Sequence, residues 1–118
     1  MPFPTNLRYF SEDEFKYPDK ISHDLLYLLD DIRSIARVPI YVTSDYRPTV
    51  NTSSHHLGLA VDISDNLEGR EPTSRWRIRV LRAALSRNVA RIGIYDRHIH
   101  IDISETHDQD VAWWGSSE

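Results

Sequence analysis

Cysteine is absent from this 118-residue chain, so neither a disulfide framework nor a thiolate metal site can form, and any metal would be held by nitrogen and oxygen. Long hydrophobic runs are missing too. No stretch approaches the ~18 apolar residues of a spanning helix, so membrane insertion is not expected. The N-terminus "MPFPTNLRYFSEDEF" has neither the basic n-region nor the apolar h-region of a secretory signal. The expectation is synthesis in the cytoplasm, with release left to another agent. Positive charge is not in excess: 14 Lys and Arg stand against 18 Asp and Glu, a formal net charge of −4. Nothing therefore draws the chain to nucleic acid or to an anionic surface. Repeats, low-complexity tracts and Gly/Ser/Pro linkers are also lacking, and the length suits one core rather than two. A single domain over 1–118 is expected, monomeric, with 1–8 and 104–118 as less regular ends.

What is present divides into elements. Residues 21–36, "ISHDLLYLLDDIRSIA", put Leu25, Leu28, Leu29, Ile32 and Ile35 at helical spacing, with Asp24, Asp30, Asp31 and Arg33 largely opposite. Pro39 closes that helix, and the β-branched "IYVTS" at 40–44 predicts a strand. A loop follows over "DYRPTVNTSS". "LAVDIS" at 59–64 alternates, with Val61 and Ile63 on one face and Ala60, Asp62 and Ser64 on the other. A second helix starts near Pro72 to Ser74 and runs to about Arg87, with Ile78, Leu81 and Leu85 as its apolar stripe and Arg75, Arg79 and Arg82 as a solvated face. "ARIGIYDRHIHIDI" at 90–103 is two strand runs around "YDR", which suits a hairpin. The class is α+β: a small, mostly antiparallel sheet with helices packed on one face.

Four of the six histidines fall in two clusters, His55/His56 and His98/His100. In "HIHIDI" the three isoleucines share one strand face, which forces His98, His100 and Asp102 onto the other. Asp62 has the same placement in its own strand, and two such polar patches can meet across neighbouring strands. Zinc gives a physical reason to collect them, since it binds imidazole nitrogen and carboxylate oxygen and, in catalytic sites, takes three protein ligands. His55, Asp62 and His100 would supply that set. Gly58 lets the backbone turn between the first two.

Ser53, His55, Gly58, Ala60 and Asp62 spell S-x-H-x-x-G-x-A-x-D, which resembles the signature of the zinc D-Ala-D-Ala carboxypeptidase family. That fold is shared with the hedgehog signalling domain and with phage L-alanoyl-D-glutamate endopeptidases. "HID" at 100–102 is similar to the family's second metal motif. "YFSEDEF" at 9–15, the leucine-rich helix and "YVTSDYR" at 41–47 are similar to its N-terminal half, so the resemblance runs from about residue 9 to 103. It implies a hedgehog/DD-peptidase-like fold and Zn2+ on His55, Asp62 and His100. It also implies Arg47 and Ser53 on the substrate side, Arg47 offering a bidentate fork to a carboxylate; a structural salt bridge is the alternative use of Arg47. His56 is outside the ligand set because the seven-residue step to Asp62 belongs to His55. The activity implied is hydrolysis of a peptide bond in bacterial peptidoglycan stem peptides or cross-links. A small chain without a signal sequence would do this as an endolysin-like phage or prophage enzyme, acting on the wall after release or from the virion.

The chain departs from the family pattern at three points. Asp45 stands where many relatives have glycine, the loop from Arg47 to His55 is short, and Arg97 occupies the position where many relatives carry an acid. Hydrolysis needs a group that takes a proton from water and returns it to the leaving amine. Asp96 is the first choice and His98 the competitor. The displaced acid keeps a second reading open, a non-catalytic zinc-binding module serving as a binding or virion structural protein. His23 and His107 are expected at the surface, and Trp113 and Trp114 either as a clamp closing the core or as a stacking patch.

Overall fold

The computed structural model describes residues 2–48 and 53–115. Part of the expected loop, residues 49–52, lies outside that range, as do residue 1 and residues 116–118 of the ends.

The order is two 3-10 turns (Glu12–Glu14, Pro18–Lys20), α1 (His23–Ala36), β1 (Tyr41–Ser44), β2 (Ala60–Ser64), α2 (Ser74–Ser86), β3 (Arg91–Tyr95), β4 (Ile99–Asp102) and β5 (Val111–Gly115). Both helices start at capped ends: the Ser22 hydroxyl accepts from the Leu25 amide, and that of Thr73 from the Trp76 amide. α1 ends where Arg37 turns left-handed at φ 57°, ahead of Pro39.

The five strands form one mixed sheet in the order β1-β2-β4-β3-β5. Three of its pairings are antiparallel, and β5 joins β3 in parallel at the far edge. The class and the mostly antiparallel sheet agree with the sequence reading. The C-terminal end does not: 111–115 is a strand rather than a loose tail, although 104–110 carries no regular element. Its polar approach and parallel pairing depend on β3, which no local pattern reveals.

One sheet face carries Val61, Ile63, Ile92, Ile99 and Ile101, which form a single core with Leu25, Leu29 and Ile32 of α1 and Trp76, Val80, Ala83 and Ala84 of α2. Two expectations for the helices shift. In α2 the buried stripe is Trp76, Val80, Ala83 and Ala84, while Ile78 and Leu85 are exposed. Two alanines allow close approach to the neighbouring layer, and Trp76 seats its indole N–H on the Pro39 carbonyl at 2.8 Å, so this arc rather than that of Ile78 and Leu85 takes the inner face. In α1, Ile35 is exposed and Asp30 is buried. Asp30 accepts the Arg8 and Tyr9 amides at 2.9–3.1 Å, which tethers the N-terminal segment to the helix.

Register then sets the opposite face. Ser44, Asp62, His100, Gly93 and Trp113 are successive cross-strand partners, a single row spanning all five strands. Among the described residues no helix is long and apolar enough to cross a membrane.

Candidate metal centre

Asp62 and His100 are directly paired across β2 and β4, and strand alternation aims both side chains away from the isoleucine core. His55 reaches them from the turn that precedes β2. That turn is closed by Ser53, whose hydroxyl accepts the His55 amide at 3.1 Å and whose carbonyl accepts the His56 amide at 3.0 Å. Gly58 completes it at φ 71°. A Cβ there would collide with the Lys20 carbonyl oxygen, and the Gly58 carbonyl accepts the Ser22 amide at 2.9 Å. Glycine is required twice over, by conformation and by the backbone pressed against it.

Three atoms converge. His55 Nε2 lies 3.2 Å from Asp62 Oδ1 and 3.2 Å from His100 Nδ1, and His100 Nδ1 lies 3.0 Å from Asp62 Oδ1. A tetrahedral ion with ligand bonds of about 2.0–2.1 Å holds its ligand atoms about 3.3 Å apart. The triangle matches one face of that tetrahedron.

The outer ring nitrogens decide which atoms point inward. His55 Nδ1 is 2.6 Å from the Asp45 carbonyl oxygen, which can only accept, so Nδ1 carries the proton. His100 Nε2 is 2.9 Å from Asp102 Oδ2 and donates to that carboxylate. With both rings neutral, two imidazole lone pairs and a carboxylate oxygen face one another with no proton among them. Such an arrangement repels itself unless a cation sits within it, and the paired outer contacts are those that orient metal-bound histidines. His55, Asp62 and His100 together therefore form a buried group able to hold a metal ion.

The electrostatics are consistent with that geometry. Burial alone would raise the Asp62 pKa, but the His100 and His55 rings beside it outweigh burial and hold the carboxyl well below its usual range. Burial likewise opposes charge on His100, yet its contacts with Asp102 and Asp62 outweigh burial and raise its pKa above the usual histidine value. Asp102, disfavoured as an anion by burial, is brought down to about 2 by its bonds from His100 and the Ser104 amide.

Asp62 Oδ2 is held by Arg47 Nη2 at 2.8 Å, and Arg47 Nε donates to Ser44 Oγ at 3.1 Å. Arg47 is thus both ion-paired within the site and, at 43% side-chain exposure, open to the cleft. A cleft of about 670 Å³ leads to the triad; Ser53, Arg47, Leu67, Tyr95, Arg97 and His98 are among its walls.

The two proton-transfer candidates part company here. His98 Nε2 lies 3.6 Å from Asp62 Oδ2 on the cleft wall. Burial lowers its pKa, against the opposing pull of Asp62, which favours a neutral ring at neutral pH. Asp96 is exposed at the hairpin tip, where its carbonyl accepts Arg77 Nη2 at 2.8 Å, and its residue is not among those lining the cleft. The remaining histidines stay outside the triad: His56 meets the Arg47 carbonyl at 3.1 Å, and His107 the Ser104 hydroxyl at 2.7 Å. Trp113 lies 5.4 Å from the His100 ring on the site face, while Trp114 is 82% exposed; neither closes the core.

Asp45, Asp102 and Tyr95 have roles that do not follow from the sequence alone. Asp102 had a signal, its place beside His100 in "HIHID". Asp45 had none, because its carboxylate binds the Lys16 and Tyr17 amides at 2.8 and 3.1 Å and only its carbonyl serves His55. No protein-family model, curated protein or solved structure matches this chain.

Proposed function

We propose that this chain is a zinc-dependent peptidase that hydrolyses a peptide bond in the stem peptides or cross-links of bacterial peptidoglycan, with the hedgehog/DD-peptidase-like fold its motifs resemble. The observation that carries the reading is the convergence of His55 Nε2, Asp62 Oδ1 and His100 Nδ1 within 3.0–3.2 Å at a cleft of about 670 Å³. The S-x-H-x-x-G-x-A-x-D signature supports the substrate class. A zinc ion held by these three side chains would supply Lewis acidity toward a carbonyl and make water acidic enough to react near neutral pH.

The chain's own residues do the rest. Asp45 and Asp102 hold the two imidazoles in the tautomers that leave Nε2 of His55 and Nδ1 of His100 bare. Arg47 fixes the Asp62 carboxylate by its second oxygen and presents its open side to a substrate carboxylate. His98, on the cleft wall, takes the proton from the attacking water and returns it to the leaving amine; Asp96 cedes that role. Ser53 holds the turn that delivers His55 and faces the same cleft.

A second reading has a specific observation behind it. Arg97 lines the cleft and Asp96 does not, so no carboxylate other than Asp62 is found among the described cleft residues. That fits a zinc-binding module without turnover. Digestion of purified peptidoglycan by zinc-loaded protein, read by mass spectrometry, separates the two. New stem-peptide fragments that vanish with a chelator are expected, and zinc at full occupancy with an unchanged wall would favour the binding module.

A further inference from the structure

Two of the four glycines sit on the site face for a reason unrelated to backbone conformation. Gly93 and Gly115 do not have positive φ, so any residue could adopt their backbone geometry. What they provide is space. A Cβ on Gly115 would collide with the Tyr95 ring, and one on Gly93 would come within 2.7–2.8 Å of Tyr95 and Trp113. Gly115 is the cross-strand partner of Tyr95, and Gly93 that of Trp113. The aromatic side chains therefore lie flat over a glycine floor shared by β3 and β5.

Tyr95 is fixed from three further directions. Its hydroxyl accepts the Trp113 indole N–H at 2.9 Å. Its carbonyl accepts Arg77 Nη1 at 2.7 Å, while the other end of the same guanidinium holds the Asp96 carbonyl. Its amide donates to the His98 carbonyl at 3.0 Å. The ring so held stacks on His98 with centroids 4.5 Å apart and planes 14° from parallel. The imidazole it backs is the one whose Nε2 stands 3.6 Å from Asp62 Oδ2.

We propose that Tyr95 is a positioning residue for His98, and that the C-terminal strand β5 is the part of the fold that seats it. A proton-transfer group contributes only when its nitrogen is held in line with the reacting atoms. Stacking on a clamped phenol ring restricts rotation of the imidazole. β5, which enters no metal contact, is then required for turnover. The inference rests on the peptidase reading with His98 as the proton carrier.

The test combines variants with two readouts. Tyr95→Phe keeps the stacked ring and loses the bond from Trp113; Tyr95→Leu removes the stack; Gly115→Ala displaces the ring without altering residue 95 itself. In the zinc-loaded protein acting on peptidoglycan, Tyr95→Leu and Gly115→Ala should lower kcat by about tenfold or more with KM and zinc content unchanged, and Tyr95→Phe should restore most of the activity. In metal-free protein the His98 ring protons should resonate upfield through the ring current of Tyr95, move downfield in Tyr95→Leu and Gly115→Ala, and stay in Tyr95→Phe. Unmoved His98 resonances in Tyr95→Leu, or moved resonances with kcat intact, would overturn the proposal. A wild-type protein without turnover would overturn the peptidase reading instead, and the resonances alone would then judge whether Tyr95 orients His98.

Discussion

Replacing Asp102 by Asn should weaken zinc binding by about 10- to 100-fold, the range seen when a partner of a metal-bound histidine is lost; that corresponds to about 1.4–2.8 kcal/mol. The structure gives the reason. Asp102 is 2% exposed and uses both oxygens: Oδ1 accepts the Ser104 amide at 2.8 Å, and Oδ2 accepts His100 Nε2–H at 2.9 Å with the Arg91 guanidinium 3.3 Å away. Asn has the same shape but one acceptor. If its oxygen stays on the Ser104 amide, its NH2 faces His100 Nε2 and also Arg91, so His100 must accept at Nε2 and place its proton on Nδ1, the atom that should hold metal. If the amide flips, the Ser104 amide meets a donor in a buried place. Either arrangement costs the site. Competition against a chromophoric zinc chelator measures the affinity, and circular dichroism of the metal-free variant checks that the fold persists. A folded Asp102→Asn protein binding zinc within twofold of wild type would refute the reasoning that His100 is oriented through Asp102.

Other outcomes follow from the same contacts. Gly58→Ala places a side chain at φ 71° against the Lys20 carbonyl, and urea denaturation should show a loss of about 1–3 kcal/mol or more; an unchanged midpoint would contradict it. Asp30→Ala strands the Arg8 and Tyr9 amides and should cost about 1–3 kcal/mol by the same assay, whereas Asp31→Ala, at the surface, should cost far less. The metal-free protein should lose stability in acid: the Asp102 pKa falls from 3.8 unfolded to about 2 folded, so its contribution is complete above 3.8 and is lost as pH drops toward 2. His100 runs the other way. Its folded pKa is raised above 6.5, so its contribution to the metal-free fold is present below 6.5 and is lost as pH rises through the folded value. Since zinc must displace that proton, the gain in Tm on adding zinc should grow over the same interval, and a pH-independent gain would count against the assignment.

Much of the site was legible because strand alternation is a strong constraint. "HIHIDI" admits one placement of His100 and Asp102 once its isoleucines are buried, and Asp62 in "LAVDIS" follows the same rule. Their direct pairing across β2 and β4 requires in addition that the strands be neighbours in one particular register, which alternation alone does not fix. Less local features stayed hidden. α2 carries two apolar arcs; Ile78 and Leu85 mark one by their helical spacing, whereas packing against the rest of the core selects the other, Trp76, Val80, Ala83 and Ala84. Asp30 looked like a surface acid because its partners are backbone amides 21 and 22 residues away. β5 has no local signature because its partner is β3, reached after the whole of β4. The choice between Asp96 and His98 turns on how a hairpin tip projects, which periodicity does not encode.

Calorimetric titration of the metal-stripped protein with Zn2+ shows whether His55, Asp62 and His100 hold one metal ion. A single saturable site per chain is expected, abolished by His100→Ala and by His55→Ala but retained in His56→Ala. Absence of saturable binding by a folded wild-type protein, or a site that survives His100→Ala unchanged, would contradict it.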